Sequence, residues 1–526
     1  MMKNMDQTPQ FAANELKPGK LIIVCRVVNA VLMVALFAVI FLAPAIIVSN
    51  NLRDARIRTG GIPKAAWQLH RALSPKNARW AQARVASNRG LELSTANISG
   101  TEWPLFGSVF YLWATEALQD EWSLNKSASA APNVYAHDAI EAATTLVIDP
   151  KQAGWVQKHY GTNYLTTENT FYRMLVISAL TSHARLTGSK EHLELLRSQV
   201  ESLSTELAAS PHGLLEDYPG ECYPGDVVMA IAMIRKADSV LGTDHSKFCT
   251  EAIRGFQDAR SDKLGLVPYA ADSRNGIAHG TSRGCGNSYV SLSSPSIWPE
   301  QAKKWYALYE EHFWQQGSIM AGFREFPKQI KGNNWYADVD SGPVIGGIGF
   351  AASAFGVGAA RVNGRFDHAY PLTTEMYATS WPLPGGLLAL PRLLSNAADA
   401  PYLGEAAILF ILTRSPETGF EVKTGGAIPI LVFIIIGVQI LIGLTGILGC
   451  TLRLRRWLRE KSDYVVLHAQ AQIVVWLVLL VGATVLFLLG KPLIALALML
   501  GAQFFPRHRL HLKGQKADVS AAAGQL

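Results

Sequence analysis

The segment Glu216-Asp217-Tyr218-Pro219-Gly220-Glu221-Cys222-Tyr223-Pro224-Gly225-Asp226 carries the densest chemistry in the chain. Its acids alternate with the Pro-Gly pairs at 219–220 and 224–225, and an apolar run from Val227 to Ile234 follows directly. Acids that converge in a confined cleft acquire separated pKa values, one protonated and one ionised. Acid/base work on a glycosidic bond or on a hydroxyl leaving group requires such a pair. Asp217, Glu221 and Asp226 are the candidates here. Asp226 is equally suited to cap the helix that follows, and Glu216 reads as a solvated side chain. A second cluster is Asp338-Val339-Asp340-Ser341-Gly342-Pro343. Asp338 and Asp340 share one side of an extended segment, and Asp340 or Ser341 is expected to cap a helix opened by Pro343. Calcium needs more oxygen ligands than these, so no metal is expected.

Other side chains surround the acids in sequence. Tyr223, Tyr269 and His279 ride on Pro- and Gly-rich loops. Arg283 and the pair Arg324-Glu325 either form internal ion pairs or hold a guanidinium over an anionic substrate. Trp335 and Tyr336 precede the second acidic cluster, with Trp298, Trp305 and Trp314 upstream; such faces stack on sugar rings or fill a core. Gly347-Ile348-Gly349-Phe350-Ala351-Ala352 mimics a dinucleotide fingerprint, with Asp367 about 20 residues on. A helix opening at Pro343 leaves no strand before it, so neither a nucleotide nor any other cofactor is expected. Cys222 and Cys285 have no adjacent base and read as buried thiols. Outside the apolar spans Cys222, Cys249 and Cys285 are odd in number and lack CxxC spacing, which leaves zinc unsupported.

The elements that position these residues are helical. Ala302, Trp305, Tyr306, Tyr309 and Phe313 form one stripe at helical spacing, and Phe171, Met174, Leu175 and Ala179 form another that ends at Thr187-Gly188. The run Val227 to Ile234, and one from Pro343 to Arg361 containing Gly346, Gly347, Gly349, Gly356 and Gly358, are apolar or small on all sides. Helices buried all round beside amphipathic partners suggest an inner set ringed by an outer one. The expected fold class is all-α, an (α/α)6 toroid of helical hairpins. If both acidic clusters open inner helices at one rim, a carboxylate from each faces a shared cavity. Asp217 and Asp338 are the first pair to consider, with Arg283 or Arg324 beside them.

Glu168-Asn169-Thr170-Phe171-Tyr172, Leu186-Thr187-Gly188-Ser189, the loop Glu216 to Asp226, Gly242-Thr243-Asp244, Arg324-Glu325 and the Gly-rich segment after Asp340 resemble, in that order, the linalool dehydratase/isomerase family. The resemblance spans roughly residues 100 to 410 and implies an (α/α)6 barrel. It also implies a pair of cysteines on the loop at 217–226, where this chain has Asp217 and Asp226, and a catalytic histidine where it has Leu175.

The rest of the chain is a membrane frame. Of 526 residues 49% are hydrophobic and only 17% charged, with mean hydropathy +0.14, against about 25% charge in soluble proteins. Disorder, a collagen-like repeat and a disulfide scaffold are excluded by the apolar content and the 5 Cys. The net charge of +7 does not signal nucleic acid, because its surplus flanks apolar runs at Arg453, Arg455, Arg456, Arg459 and Lys461 and at Arg507, Arg509, Lys513 and Lys516. Spans are expected at 27–48 (an uncleaved anchor), 427–451, 471–490 and 491–506, the last two as a hairpin turning at Lys491-Pro492. Residues 1–26, a basic loop at 452–470 and the tail 507–526 then face the cytoplasm. Residues 49–426 lie on the periplasmic or extracellular side of a multi-pass inner-membrane protein. Arg53, Arg56, Arg58 and Lys64 balance the basic residues before the first span, so the orientation rests on the C-terminal half. The partners expected are the lipid bilayer and a small-molecule or glycan substrate. Acid/base action on a saccharide comes first, a hydro-lyase or isomerase acting on an isoprenoid alcohol second, and a non-catalytic binding protein third. A cleft lined by Trp and polar groups favours sugar, and an enclosed apolar pocket favours the isoprenoid.

Overall fold

The structure is a computed structural model that describes residues 20–125, 129–257, 260–459, 464–465, 469–488, 492–507 and 509–510. Lys461, Lys491, Lys513 and Lys516 lie outside the described residues. Helix makes up 67% of the chain and the strands are few and short, so the protein is all-α. It divides into two compact units, Pro44–Gly437 and Met1–Ala43 with Val438–Leu526.

Six helices of the larger unit are apolar around most of their surface: α1 (Ile98–Asn125), α2 (Thr170–Thr187), α3 (Pro224–Leu241), α4 (Gly284–Ser293), α5 (Phe350–Val362) and α6 (Leu403–Leu412). Their boundaries follow local rules. Pro224 opens α3, where its missing N–H is no loss. Gly188 and Gly242, at φ 72° and 68°, end α2 and α3 in the left-handed conformation that favours glycine. Each helix packs on the next, and α6 returns to pack on α1. Amphipathic helices cover this circuit, among them Lys64–Ala86, His137–Ile148, Leu193–Ala209, Pro299–Phe313 and Phe366–Thr379. The stripe Ala302, Trp305, Tyr306, Tyr309 and Phe313 is fully inward.

The segment after Asp338 differs from expectation. No helix starts at Pro343. Strands β1 (Trp335–Asp338), β2 (Gly342–Ile345) and β3 (Ile348–Gly349) form an antiparallel meander, and α5 begins only at Phe350. Gly342, Gly346 and Gly347 hold φ values of 60°, 60° and 86° in its turns, conformations an α-helix does not contain. Only Gly356 and Gly358 are helical, and there the missing side chains admit the Phe323 ring and the Leu292 side chain. A strand does precede the Gly347 to Ala352 run, but it is antiparallel and so cannot be half of a parallel βαβ nucleotide unit.

Two apolar helical runs are long enough to cross a bilayer: Lys20–Asn51, whose α-helix passes through a π-helical turn at Ala38–Leu42, and Ile430–Arg459. Gly443 faces Leu42 and Gly446 faces Phe37, the small-residue packing of membrane helices. Arg453, Arg455, Arg456 and Arg459 sit in the last turns of the second helix, not in a loop. Ala469–Leu488 and Pro492–Ala502 are separate helices, and Gly482 faces Leu498. A single continuous helix would hold those two residues ~24 Å apart, so the chain reverses between them. Asn29 binds this hairpin, accepting from the Trp476 indole at 2.7 Å and donating to the carbonyls of Ala502 and Phe505.

Gly284 opens α4 where a Cβ would lie 1.9 Å from the Arg324 carbonyl oxygen. Gly284→Ala is expected to destabilise the protein by at least ~2 kcal/mol, read by denaturant unfolding in detergent micelles.

Candidate functional site

A cavity of about 640 Å³ lies where the N-terminal portions of all six inner helices meet. Glu102 and Phe106 come from α1, Phe171 from α2, Asp226 from α3, Cys285 and Tyr289 from α4, Phe355 from α5 and Leu403 from α6. The wall is mainly aromatic and aliphatic. Phe106 meets Phe171 and Tyr289 edge-on at 5.6 and 5.9 Å, and Tyr289 meets Phe355 at 5.8 Å. Five acids interrupt it, Glu102, Glu221, Asp226, Asp340 and Glu375, and no Lys, Arg or His among the described residues lines it.

The two acidic clusters meet here, though not through the pair considered first. Asp226 is half-buried and does not cap α3: Tyr223 holds the N-cap position, and no side chain closes that end. Its carboxyl has no hydrogen-bond partner among the described residues. Burial first, then the charges of Glu102 and Asp340, push Asp226 up to about 8. Glu102 accepts a hydrogen bond from the Tyr218 hydroxyl; burial and Asp340 still push it up to about 7. Asp340 accepts from the Tyr269 hydroxyl at the rim. Glu221 is exposed and accepts from the Tyr223 hydroxyl at 3.0 Å. Glu375 accepts from the Ala321 N–H at 3.0 Å, and burial lifts it to about 7. The Tyr289 hydroxyl, buried in the wall, likewise has no partner.

Asp217 does not line the cavity. It is buried, with one carboxylate oxygen accepting the Phe171 N–H at 2.9 Å and the other the Tyr223 N–H at 2.8 Å. Burial and neighbouring Asp226 raise its pKa well above the carboxylate range. It ties the start of α2 to the start of α3, and so positions Asp226. Asp338 is engaged as well. It accepts from the Ser341 N–H and hydroxyl, both at 2.7 Å, and from Tyr336 at 2.8 Å, and it pairs with Arg283 at 2.8 Å. Burial opposes its ionisation, but these donors win and hold it below the usual range. Ser341 therefore closes the β1–β2 turn and caps no helix.

The expected arginines do not face the cavity. Arg283 pairs with buried Glu325 at 2.7 Å and lies under the Tyr269 ring at 4.5 Å. Arg324 does not pair with Glu325; it donates to Gln315 at 2.6 Å and is covered by Gly347. Glu325 also receives the Cys285 thiol at 3.1 Å. His279 and Trp335 are exposed and do not line the cavity, Trp335 at 77%. Trp298 and Trp305 are core. Leu175 is buried in α2 and does not reach the cavity. The site residues missed in sequence are Glu102, Tyr218, Tyr289 and Glu375. Glu102 and Glu375 did carry a signal, each being an isolated acid in a mostly apolar stretch of helix. No family model matches the sequence, and no curated protein matches it.

An acid raised in the folded state binds more protons there than in the unfolded chain, whose Asp titrates near ~3.9. The stability it contributes is complete below that value and is lost as pH rises through about 8. Asp226→Asn is therefore expected to stabilise the protein at pH 9, by about 1–3 kcal/mol after discounting for water in the cavity, and to change little at pH 4. Thermal melts at the two pH values check this.

Proposed function

We propose that the chain is a membrane-anchored hydro-lyase or isomerase acting on an apolar alcohol of isoprenoid type. One observation carries the reading: a mainly aromatic and aliphatic cavity whose charged groups are all carboxyls, two of them raised to about 7 and about 8 where α1 and α3 begin. Sugars need dense hydrogen-bonding walls and stacking faces; Trp298 and Trp305 are core, Trp335 lies outside the lining, and Trp103 alone of the tryptophans among the described residues lines the cavity. The resemblance to the linalool dehydratase/isomerase family points the same way. So does the closed circuit of inner helices, which we read as the inner ring of an (α/α)6 toroid.

The unpartnered Asp226 carboxyl and Tyr289 hydroxyl supply the polar contacts that a substrate hydroxyl lacks in such a wall. Neutral Asp226 donates its proton to that oxygen. The C–O bond breaks with its electron pair going to oxygen, and water leaves. The faces of Phe106 and Tyr289 stabilise the carbocation. Asp340 or Glu221, as carboxylate, takes a proton from the adjacent carbon to give the alkene; alternatively water returns to the other end of an allylic cation and gives a proton back to the Asp226 carboxylate, which leaves the isomeric alcohol. Tyr218 and Tyr269 position Glu102 and Asp340 through their hydroxyls.

The bilayer holds the enzyme through Lys20–Asn51, Ile430–Arg459 and the hairpin at 469–502. The basic ends at 453–461 and 507–516 stay in the cytoplasm, and the part of the larger unit at 49–426 lies outside it. Protease added to intact spheroplasts should digest that unit and spare the tail; the opposite pattern inverts the topology.

Protein in nanodiscs, supplied with geraniol or linalool, should release an alkene or an isomeric alcohol detectable by gas chromatography. Asp226→Asn should lower turnover about 10²–10⁴-fold, and Asp338→Asn should act chiefly on stability. Turnover of oligosaccharides with none of these alcohols, or an unaffected Asp226→Asn enzyme, sinks the reading.

A further inference from the structure

The mouth of the cavity has an apolar lip that the acid/base chemistry does not use. On one side lies the helix Ala389–Ala397, with Leu390, Leu393 and Leu394 43%, 48% and 52% exposed. Leu390 and Leu394 also line the cavity. The charged residue of this helix, Arg392, turns inward: its guanidinium lies 3.7 Å from the Tyr402 ring centroid and pairs with buried Glu405 at 2.6 Å. Ile345 and Phe350, 48% and 54% exposed, line the same opening. The turn between the strands Trp314–Gln316 and Ala321–Phe323 adds Met320 to the lining and leaves Ile319 57% exposed.

That turn is tied to the start of a candidate membrane helix, whose residues 430–437 belong to the same compact unit. The carbonyls of Ser318 and Ile319 accept the N–H groups of Ile430 and Leu431 at 3.1 and 2.9 Å. Leu431, in the first turn of Ile430–Arg459, lines the cavity. From Ile430 to Leu452 this helix carries no charge, a length of ~34 Å against ~30 Å of hydrocarbon. A helix of that length fills the bilayer from its first turn, which puts Leu431 and the turn bound to it at the hydrocarbon boundary. An apolar surface this continuous at the rim of a cavity marks an interaction site.

We propose that the lip formed by Leu390, Leu393, Leu394, Ile345, Phe350 and Ile319 sits in the interfacial layer of the phospholipid bilayer, and that the cavity fills laterally from it. An apolar alcohol then passes from membrane to site without crossing water. The identity of the cargo rests on the function proposed above; the position of the lip does not.

Full-length protein with Cys450→Ser, the remaining native thiols being buried, takes bimane at Leu393→Cys, Leu394→Cys or Phe350→Cys. Leu124→Cys is the reference; Leu124 is 86% exposed and lines a second cavity at the far end of α1, ~33 Å along the helix from Glu102. In vesicles of brominated phosphatidylcholine, quenching at the three lip positions should exceed that at 124 by about threefold or more, as for a face buried ~5–10 Å into the interface. Aqueous iodide should give the reverse order. Equal lipid quenching at the lip and at 124 overturns the proposal, even if alcohols are turned over. Quenched lip probes together with an unaffected Asp226→Asn enzyme uphold the lip and remove the chemistry.

Discussion

Everything at the site depends on the shared polarity of six helices. Each inner helix brings its N-terminal portion to the same cavity, so the partial positive charges of their free N–H groups converge there. Five acids line that end and, among the described residues, no basic side chain does. At the other end a second cavity of about 1000 Å³ is lined by both signs, Arg185, Arg235, Lys236 and Arg414 with Asp120, Glu121, Asp238 and Glu417; helix C-termini favour the cations there. Acidic side chains are thus tolerated beside the apolar wall without a cation among them. Each helix end contributes about 0.3–1 kcal/mol toward the ionised acid. Burial and mutual repulsion still outweigh this at Asp226 and Glu102, and so these acids keep their protons near neutrality.

Two buried networks hold the acids in place. Asp217 receives N–H groups from the beginnings of α2 and α3 at once, which fixes the loop that ends at Asp226. On the facing side Arg283 joins Glu325 to Asp338, and Asp338 in turn closes the turn beyond Asp340. Tyr269 links the sides, its ring meeting that of Tyr223 at 5.5 Å and its hydroxyl on Asp340. An acid held by protein donors is suited to rigidity, and one with no protein partner is suited to a ligand. By that measure Asp217, Asp338 and Glu325 are framework, and Asp226 faces the chemistry.

Much of this was legible in the sequence, with gaps that have physical causes. Helical periodicity revealed the stripe from Ala302 to Phe313 and the all-apolar α3, because burial on every side leaves no polar face. The two acidic clusters were visible as clusters, and Asp226, Asp340 and Glu221 do share one cavity. Which member of each cluster faces inward was not readable, since neighbours in a Pro-Gly turn diverge by backbone geometry alone. The meander at 335–349 was hidden because glycines pairing strands and glycines packing helices look alike; only their positive φ separates Gly342, Gly346 and Gly347 from Gly356. Glu102 was passed over because it stands alone in sequence, more than a hundred residues from the acids it meets.

The unsatisfied groups are the most informative part of the structure. A buried phenol without a partner costs about 1–3 kcal/mol, and Tyr289 is such a group in the wall nearest the acids. A Phe at that position would fill the same space at no such cost, and Asn at 226 would remove a second penalty at alkaline pH. Neither gain is realised in the sequence. Other buried polar groups are also unpartnered, the Tyr160 and Tyr377 hydroxyls among them, but of the unpartnered groups among the described residues it is Tyr289 and Asp226 that line the cavity. On the function proposed above, an otherwise apolar ligand with one hydroxyl meets these two groups, while Phe106, Phe171 and Phe355 offer no partner to further hydroxyls. The same wall that withholds partners from Asp226 and Tyr289 therefore sets which molecules can provide them.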